Sequence, residues 1–272
     1  MRAYDMTKAR QDLRYLSWDE HTQPSGLTGT CPKAREGTGV NATFYKLCDE
    51  DRACDIHNQA PFNELVACRL MDILGIAHVK QHLVHARIKV QGHERDAWLL
   101  RSKCYREKGM QSAALELVFD AGQQQYETPL EFCLRQGWSH QVSALLLVDF
   151  LIANRSRTGD NIEVVRKPDG TCELAPLYAN ARSLISSCCT TELSIERFDP
   201  LLDLDANNFL GSRSLVENLQ FVDPAFEVQP LLPEHRELLF CGFRGILPKL
   251  YQDAMWDIIW GRWRAYARLR GL

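Results

Sequence analysis

The sequence predicts an α+β fold in two lobes. The first, residues 1–103, is expected to be small and sheet-rich with one main helix, and the second, residues 104–272, larger and helical. Extended segments surround a single apolar-periodic helix in the first lobe, whereas helical spacing prevails after residue 113. A tight hairpin with a polar loop at each end interrupts the second lobe. With 272 residues, 45% of them hydrophobic, the chain has ample core for both lobes.

Charge and hydropathy narrow the class of protein. Lys plus Arg number 32 and Asp plus Glu 35, a net charge of -3 that gives no reason to expect a nucleic acid or a membrane as partner. The longest apolar run, 144–153, contains Asp149 and is too short to span a bilayer, and the first 16 residues have no apolar signal core. We expect a cytoplasmic protein, and delivery into another cell stays open.

The ten cysteines are predicted to be free thiols. No Cys-x-x-Cys pair occurs, and Cys188 and Cys189 are adjacent, which does not suit chelation of one metal ion. Several others lie in apolar stretches. We therefore expect a reducing compartment and no bound zinc.

The first lobe begins with a predicted helix over Thr7–Trp18, where apolar residues follow a helical spacing. Residues 23–30 then read QPSGLTGT, a loop whose backbone N–H groups can approach a phosphate, although a plain turn fits equally well. Lys46 follows within a predicted strand, Thr43–Leu47. Its ammonium group suits a phosphate, whereas a solvent-facing lysine on an edge strand is the plainer alternative.

One helix and two strands complete this lobe. The helix is predicted over Pro61–Leu74, ends at Gly75 and carries Glu64 near its start, where the helix dipole alone favours an acid. The strands are predicted over His78–Val90 and Asp96–Leu100, joined by a tight turn. The second strand leads into the segment that joins the lobes.

The second lobe is predicted to be mostly helical. Helices are expected near 113–119, 129–134, 142–153, 205–221 and 233–272, with an irregular segment over Leu184–Asp199. The last helix carries an apolar stripe that is typical of a core-facing surface.

The hairpin lies between two polar loops, 154–161 and 178–183. Its strands are predicted over Ile162–Val165 and Cys172–Leu177, with a turn at Lys167–Gly170. Loops that leave and enter the same end of a hairpin can face one site.

The two loops resemble those of HipA-like protein kinases. The first reads NRSRTGDN, where that family has Asn-x-Asp-Arg-His-x-x-Asn, and residues 174–179 read LAPLYA, where it has Leu-Ala-Pro-x-Tyr/Phe-Asp. The resemblance covers most of the chain from Ala9 onward. It implies a two-lobed kinase-like fold and, for the family, transfer of the γ-phosphate of ATP to Ser or Thr hydroxyls of proteins with magnesium.

The resemblance also implies roles for individual residues. Lys46 holds the α- and β-phosphates of ATP, Glu64 orients Lys46, and Asn161 binds a metal ion. Arg101 and Lys103 lie in the segment whose backbone contacts adenine. The phosphates are covered by the glycine-rich loop, whose residues are Ser25, Gly26, Thr28, Gly29 and Thr30.

The chain departs from the family at the residues that carry the chemistry. Ser156 stands in place of the catalytic Asp, Ala179 in place of the metal-binding Asp and Thr158 in place of the His. A neutral hydroxyl is no carboxylate base at pH 7, and a methyl group cannot coordinate magnesium. Asp160 supplies a nearby carboxylate on the wrong side of Gly159. The Cys31-Pro32 step also interrupts the strand expected after the glycine-rich loop.

Several functions stay open at this point. The chain is expected to be a kinase-family protein with ATP or a related nucleotide and a protein as partners, weak magnesium binding and impaired phosphotransfer. The alternatives are a natural pseudokinase that binds a nucleotide or a partner, an active kinase whose acids were replaced deliberately, a different nucleotide-transfer chemistry, and a structural protein without a nucleotide site.

Overall fold

The computed structural model of the chain describes residues 5–19, 31–48, 59–185 and 191–272. Its N-terminal part contains a six-stranded sheet with the strand order β1-β5-β6-β4-β3-β2. All neighbours in this sheet are antiparallel except β1 and β5, which are parallel. The strands are β1 (Met6–Asp12), β2 (Trp18–Asp19), β3 (Lys33–Glu36), β4 (Thr43–Lys46), β5 (Gln81–Val90) and β6 (His93–Lys103).

The predicted helix over Thr7–Trp18 is wrong, because Met6–Asp12 is a strand. The short segment pairs with the long strand β5, so its backbone groups are bonded between strands rather than within a helix. Leu13 and Leu16, read as part of a helical stripe, instead lie under one face of the sheet. Tertiary pairing has overridden a weak local pattern.

The main helix of this part, α1 (Ala60–Leu74), begins and ends close to where the sequence predicts. Pro61 lies in its first turn, where a missing N–H is harmless, and Gly75 ends it with a φ of 75°. Leu83 and Leu100 of the sheet belong to the same hydrophobic core as the helix, whereas Tyr45 belongs to a second cluster on the opposite face. The sheet thus has an inner face toward α1 and an outer face.

A second sheet contains the predicted hairpin. Its order is β10-β9-β7, from β7 (Gln111–Ala114), β9 (Glu163–Arg166) and β10 (Cys172–Leu174), and all neighbours are antiparallel. The hairpin and its turn are confirmed. Strand β7 was not predicted, because its short sequence QSAA carries no alternating pattern. Parallel pairing of β8 (Ser156–Arg157) with β11 (Asn207–Asn208) forms a third, two-stranded sheet.

The rest of the chain is largely helical. The helices are α2 (Leu115–Gly122), α3 (Pro129–Arg135), α4 (Ser139–Leu151), α5 (Glu192–Glu196), α6 (His235–Leu239) and α7 (Lys249–Arg270). As predicted, α7 directs an apolar stripe into the core, with Met255, Ile258 and Ile259 fully covered.

The helix predicted near 205–221 is wrong. Strand β11 and a short 3₁₀ helix, Glu217–Phe221, occupy this part instead. The side-chain oxygen of Asn208 accepts the N–H groups of Leu210 and Gly211, and that of Asn218 accepts the N–H of Ser212. Such side chain–backbone bonds compete with helix formation.

Two sequence expectations concern membranes and metals. Within the described ranges, no helix is long and apolar enough to cross a membrane. The same ranges contain no group of three or more His, Cys, Asp or Glu residues arranged to hold a metal ion. Seven of the cysteines lie in these ranges, and none of the seven forms a disulfide: Cys31, Cys48, Cys68, Cys104, Cys133, Cys172 and Cys241.

Candidate functional site

Lys46 and Glu64 lie within electrostatic reach of each other. Lys46 ends β4 opposite Leu100, which places its side chain on the inner face of the sheet, toward α1. Glu64 lies on α1 with only 2% of its surface exposed. Burial raises the pKa of the Glu64 carboxyl above its usual value, while the charge of Lys46 acts in the opposite direction. The structure therefore brings together the two residues that the resemblance pairs.

Glu64 also fastens α1 to the second polar loop. Its Oε2 accepts the backbone N–H of Asn180 at 2.5 Å, and the N–H of Ala179 contributes a further bond. The preceding residue of the helix, Asn63, donates its amide to the carbonyls of Ala181 and Ser183 at 3.3 and 2.9 Å. The helix thus fixes the backbone of the loop in which the family has its metal ligand.

Arg157, which was not among the predicted site residues, joins the two loops. Its guanidinium donates to the Asp149 carboxylate at 3.0 Å from Nε and 2.7 Å from Nη2. It also donates to the Tyr178 carbonyl at 2.6 Å and to Oδ1 of Asn180 at 2.7 Å. Arg157 and Asp149 are at most 1% exposed. One buried cation therefore links α4, the first loop and the second loop.

The sequence contained a signal for this connection. Asp149 interrupts the apolar run of α4, and a buried carboxylate requires a partner. Asn154 supplies a second donor to it, at 2.7 Å. Arg157 itself stands where the HipA-like pattern has Arg. An isolated acid in a buried helix, followed by Arg155 and Arg157 in the next loop, indicated an ion pair without choosing between the two arginines.

The predicted catalytic residues lie together in the first loop. The Ser156 N–H donates to Oδ1 of Asn154 at 3.2 Å. The Asn161 amide donates to Thr158 Oγ1 at 2.8 Å, and the Thr158 hydroxyl donates to Asp160. The Asn161 amide group and the Asp160 carboxylate are thus both tied to Thr158.

Ala179 lies in the second loop with a φ of 63°. Left-handed backbone is unfavourable for Ala, and Asn or Asp tolerate it better. Two further residues at the edges of the loops, Ala153 and Leu184, have φ values of 50° and 52°. Residues held in this region cluster at functional sites. The second loop therefore has an unusual backbone conformation of the kind found at functional sites, although the side chain of Ala179 is only a methyl group.

The residues at the expected metal position do not fit magnesium. Magnesium requires oxygen ligands in octahedral geometry, and carboxylates are its usual protein ligands. Here Ala179, whose side chain is a methyl group, occupies the position of the main ligand, and Asn161 offers one neutral amide oxygen. The donor set is too poor for a site of the kinase type.

The structure does not bring Arg101 and Lys103 to the inner face. Arg101 pairs in register with Tyr45 and His82 and interacts with the Tyr45 hydroxyl, on the outer face. Lys103 donates to Thr43 Oγ1 at 2.7 Å. Because alternate residues of a strand point to opposite faces, neither side chain lies beside Lys46. The glycine-rich loop residues Ser25, Gly26, Thr28, Gly29 and Thr30 lie outside the described residues.

A second buried carboxylate, Glu163, lies in the site and was missed by the sequence analysis. It is 3% exposed, and its Oε2 accepts the Tyr105 hydroxyl. Burial, with the Glu163 charge, raises the pKa of Tyr105 and the pKa of Tyr178. The Tyr178 hydroxyl faces the same carboxylate, and both Oε1 of Glu163 and the Tyr178 hydroxyl are buried from solvent. A strand acid with an ordinary surface pattern gave no signal for this cluster.

Comparison with known proteins identifies the fold. No protein-family model matches the chain, and no curated protein sequence matches it. Among solved structures, the chain is similar to the Helicobacter pylori proinflammatory kinase CtkA, with a TM-score of 0.57 and 11% identity over 96% of this chain and 97% of that one. The match to HipA of Shewanella oneidensis, solved with HipB and operator DNA, has a TM-score of 0.46 and 14% identity over 90% of this chain and 67% of that one.

The chain has the kinase-like fold of CtkA. The predicted α+β architecture, with a sheet-rich N-terminal part and a helical C-terminal part, is confirmed. At this level of identity the similarity establishes the fold and not the reaction. Function must therefore be argued from the site residues of this chain.

Proposed function

We propose that this chain is a nucleotide-binding protein derived from Ser/Thr kinases of the HipA type, in which phosphotransfer is absent or strongly impaired. Its ligand is ATP or a related nucleotide, and it acts by binding that nucleotide and a protein partner. The proposed binding site lies between the parts 1–103 and 104–272. The expected location is the cytoplasm.

The observation that carries the proposal is the arrangement around Glu64. This carboxylate lies near the Lys46 ammonium and accepts backbone N–H groups of the second loop. Such an arrangement positions a cation for phosphate while holding the loop beside it. A structural protein without a nucleotide site has no need of a buried carboxylate at this junction, because burying an ionisable group is costly.

The case for impaired chemistry rests on Ser156 and Ala179. Phosphoryl transfer depends on positioning the acceptor hydroxyl and on stabilising charge, and each role needs a carboxylate in this fold. Ser156 cannot accept the proton at neutral pH. The nearby Asp149 carboxylate is bonded to Arg157, and Asp160 is bonded to Thr158. Neither is a ready substitute.

Calorimetric titration with ATP, with and without magnesium, tests the proposal. We expect weak binding of ATP that magnesium changes little, because Asn161 is a single neutral ligand. Lys46→Met should weaken binding at least about tenfold, the loss of one charge-assisted contact. Lys89→Met removes an exposed lysine of the same sheet and should leave binding as it was.

Three results would contradict the proposal or part of it. If a folded chain does not bind ATP at millimolar concentration, it has no nucleotide site. If it transfers labelled γ-phosphate to itself or to a generic protein acceptor at a rate typical of kinases, its phosphotransfer is not impaired. If ATP binding depends strongly on magnesium, the expectation of weak metal binding is wrong, and a carboxylate outside the expected position holds the metal.

A further inference from the structure

Two cysteines, Cys31 and Cys48, face each other where the ladder of β3 and β4 ends. The antiparallel register of these strands pairs Lys33 with Lys46. Continued by two residues along each strand, the same register places Cys31 opposite Cys48. Both cysteines belong to the hydrophobic core that contains α1, so their thiols lie on the inner face of the sheet. Lys46 of the candidate site is two residues from Cys48 on the same face.

The position of the two cysteines in the ladder suits a disulfide. Leu47 donates its N–H to the Pro32 carbonyl at 3.0 Å, so these two residues form a hydrogen-bonded pair. Cys31 and Cys48, the next pair along the ladder, are then a non-hydrogen-bonded pair. Opposed residues of this kind have Cα atoms about 4.5 Å apart. A disulfide requires Cα atoms about 4.4–6.8 Å apart, so the two sulfurs can be joined with little movement of the backbone.

The two thiols are in contact and buried. A hydrogen bond joins Cys48 to Cys31, and this bond together with burial raises the pKa of Cys48 well above its usual value. Cys31 is 8% exposed and Cys48 3%. A raised pKa favours the thiol over the reactive thiolate. We therefore expect the pair to be reduced in a reducing compartment and to react only when conditions become oxidising.

The ladder has few hydrogen bonds beside these cysteines. Pro32 has no N–H, so its pair with Leu47 is held by one hydrogen bond where two are usual. Within the described residues, β2 pairs with β3 at Lys33 and Ala34 and not beyond. A covalent bond at this point would supply a connection that the ladder lacks, close to Lys46.

We propose that Cys31 and Cys48 are a redox-sensitive pair that closes reversibly to a disulfide and stabilises the end of the sheet that carries Lys46. The oxidant is a low-molecular-weight disulfide such as glutathione disulfide. One protein thiolate attacks a sulfur of this molecule and releases one glutathione, and the second protein thiolate attacks the mixed disulfide and releases the other. The two cysteines lose two electrons, which glutathione disulfide gains, and their two protons end on the two released glutathiones.

Peptide mapping tests the disulfide directly. The folded chain is incubated with glutathione disulfide at about pH 8, where more of each thiol is ionised, and the remaining thiols are then blocked with a maleimide. Trypsin separates the two cysteines into the peptides 15–33 and 47–52, each of which contains a single cysteine. We expect these two peptides to be joined in most of the oxidised chains and to separate after reduction with dithiothreitol.

Thermal unfolding tests the stabilisation. A disulfide restricts the unfolded chain, and we expect the melting temperature of the oxidised chain to exceed that of the reduced chain by about 5–10 °C. Cys48→Ala should abolish this increase. Cys133→Ala removes a buried cysteine of α3, is the matched control and should retain the increase. Because each variant is compared with its own reduced form, a loss of core packing in the variant does not affect the difference.

Two results would overturn the inference. If the peptides 15–33 and 47–52 are not joined in the oxidised folded chain, or are joined only when the oxidant is added in denaturant, Cys31 and Cys48 do not form a native disulfide. If they are joined but the melting temperature does not rise, or rises equally in Cys48→Ala, the disulfide does not stabilise the sheet. Neither measurement involves a nucleotide, so the proposed function is tested separately.

Discussion

The guanidinium of Arg157 and the carboxylate of Asp149 form an ion pair with Nη2 and Oδ1 2.7 Å apart, both side chains buried. Arg157 reaches from there to the Tyr178 carbonyl and to Asn180. One buried ion pair therefore holds the two polar loops in place. Ser156 and Ala179 stand in these loops where the family resemblance leads us to expect acids.

Removing Arg157 is expected to destabilise the fold. Arg157→Met leaves the Asp149 carboxylate buried without its cation, and we expect the free energy of unfolding to fall by about 3–5 kcal/mol. Urea denaturation measures the change. The double variant Asp149→Leu/Arg157→Met should lose less, because apolar groups of similar volume can replace a buried ion pair.

A matched control for this prediction is Arg213→Met. Arg213 pairs with Asp205 on the surface, with side chains 81% and 57% exposed, so its loss should change stability by less than about 1 kcal/mol. Equal effects of Arg157→Met and Arg213→Met would show that the buried pair contributes no more than a surface pair.

Glu64 is expected to make stability depend on pH. Its pKa in the folded chain is raised above the usual 4.5, chiefly by burial, although Lys46, Arg157 and two backbone N–H groups act against the shift. The folded chain thus binds the Glu64 proton more tightly than the unfolded chain does. By linkage, this contribution to the free energy of unfolding is present in acid and is lost as pH rises from about 4.5 through the folded pKa.

Glu64→Gln isolates this contribution, because the amide keeps an acceptor for the Asn180 N–H. We expect the stability of the wild-type chain, relative to the variant, to decrease as pH rises from 4 to 7. Urea midpoints of both chains across this range provide the measurement. A relative stability that increases with pH would mean that Lys46 and the N–H groups outweigh burial.

Because Ala179 has a left-handed backbone, we expect its replacement by glycine to raise the stability of the fold. Ala at positive φ costs about 1–2 kcal/mol, whereas the added freedom of glycine in the unfolded chain costs about 0.4–1 kcal/mol. Ala179→Gly is therefore expected to stabilise the fold by about 0.5–1 kcal/mol. Ala181→Gly, in the same loop without positive φ, should destabilise it by about the same amount. Thermal unfolding of both variants tests the pair, and a loss of stability in both would contradict the argument.

Restoring the acids should restore chemistry if the loops retain the geometry of a kinase site. The change is Ser156→Asp together with Ala179→Asp, with Thr158→His as a further step. Asp suits the left-handed backbone at 179 better than most residues. Because the two acids act as a unit, either single change should recover little. Transfer of labelled γ-phosphate to the chain or to a generic acceptor is the readout. No transfer by a double variant that is folded and binds ATP would indicate a site that no longer supports the reaction.

The sequence by itself determined the fold class, the main helix, the β5–β6 hairpin, the central hairpin and the two loops. These elements carry strong local signals: Pro61 and Gly75 at the ends of α1, a tight turn between strands, and loop motifs that resemble a known family. It also identified Ser156 and Ala179 as departures from that family, because a replaced residue within a motif is visible without coordinates.

Only the tertiary structure decided what these residues contact. The strand Met6–Asp12 forms because it can pair with the edge of β5. In the same way, β7 forms because it can pair with β9 of the central hairpin. The two faces of a strand place Arg101 away from Lys46, and packing brings Tyr105 to Glu163, which lies 58 positions along the chain. Such partners are set by which surfaces pack together, a long-range property that local patterns do not encode.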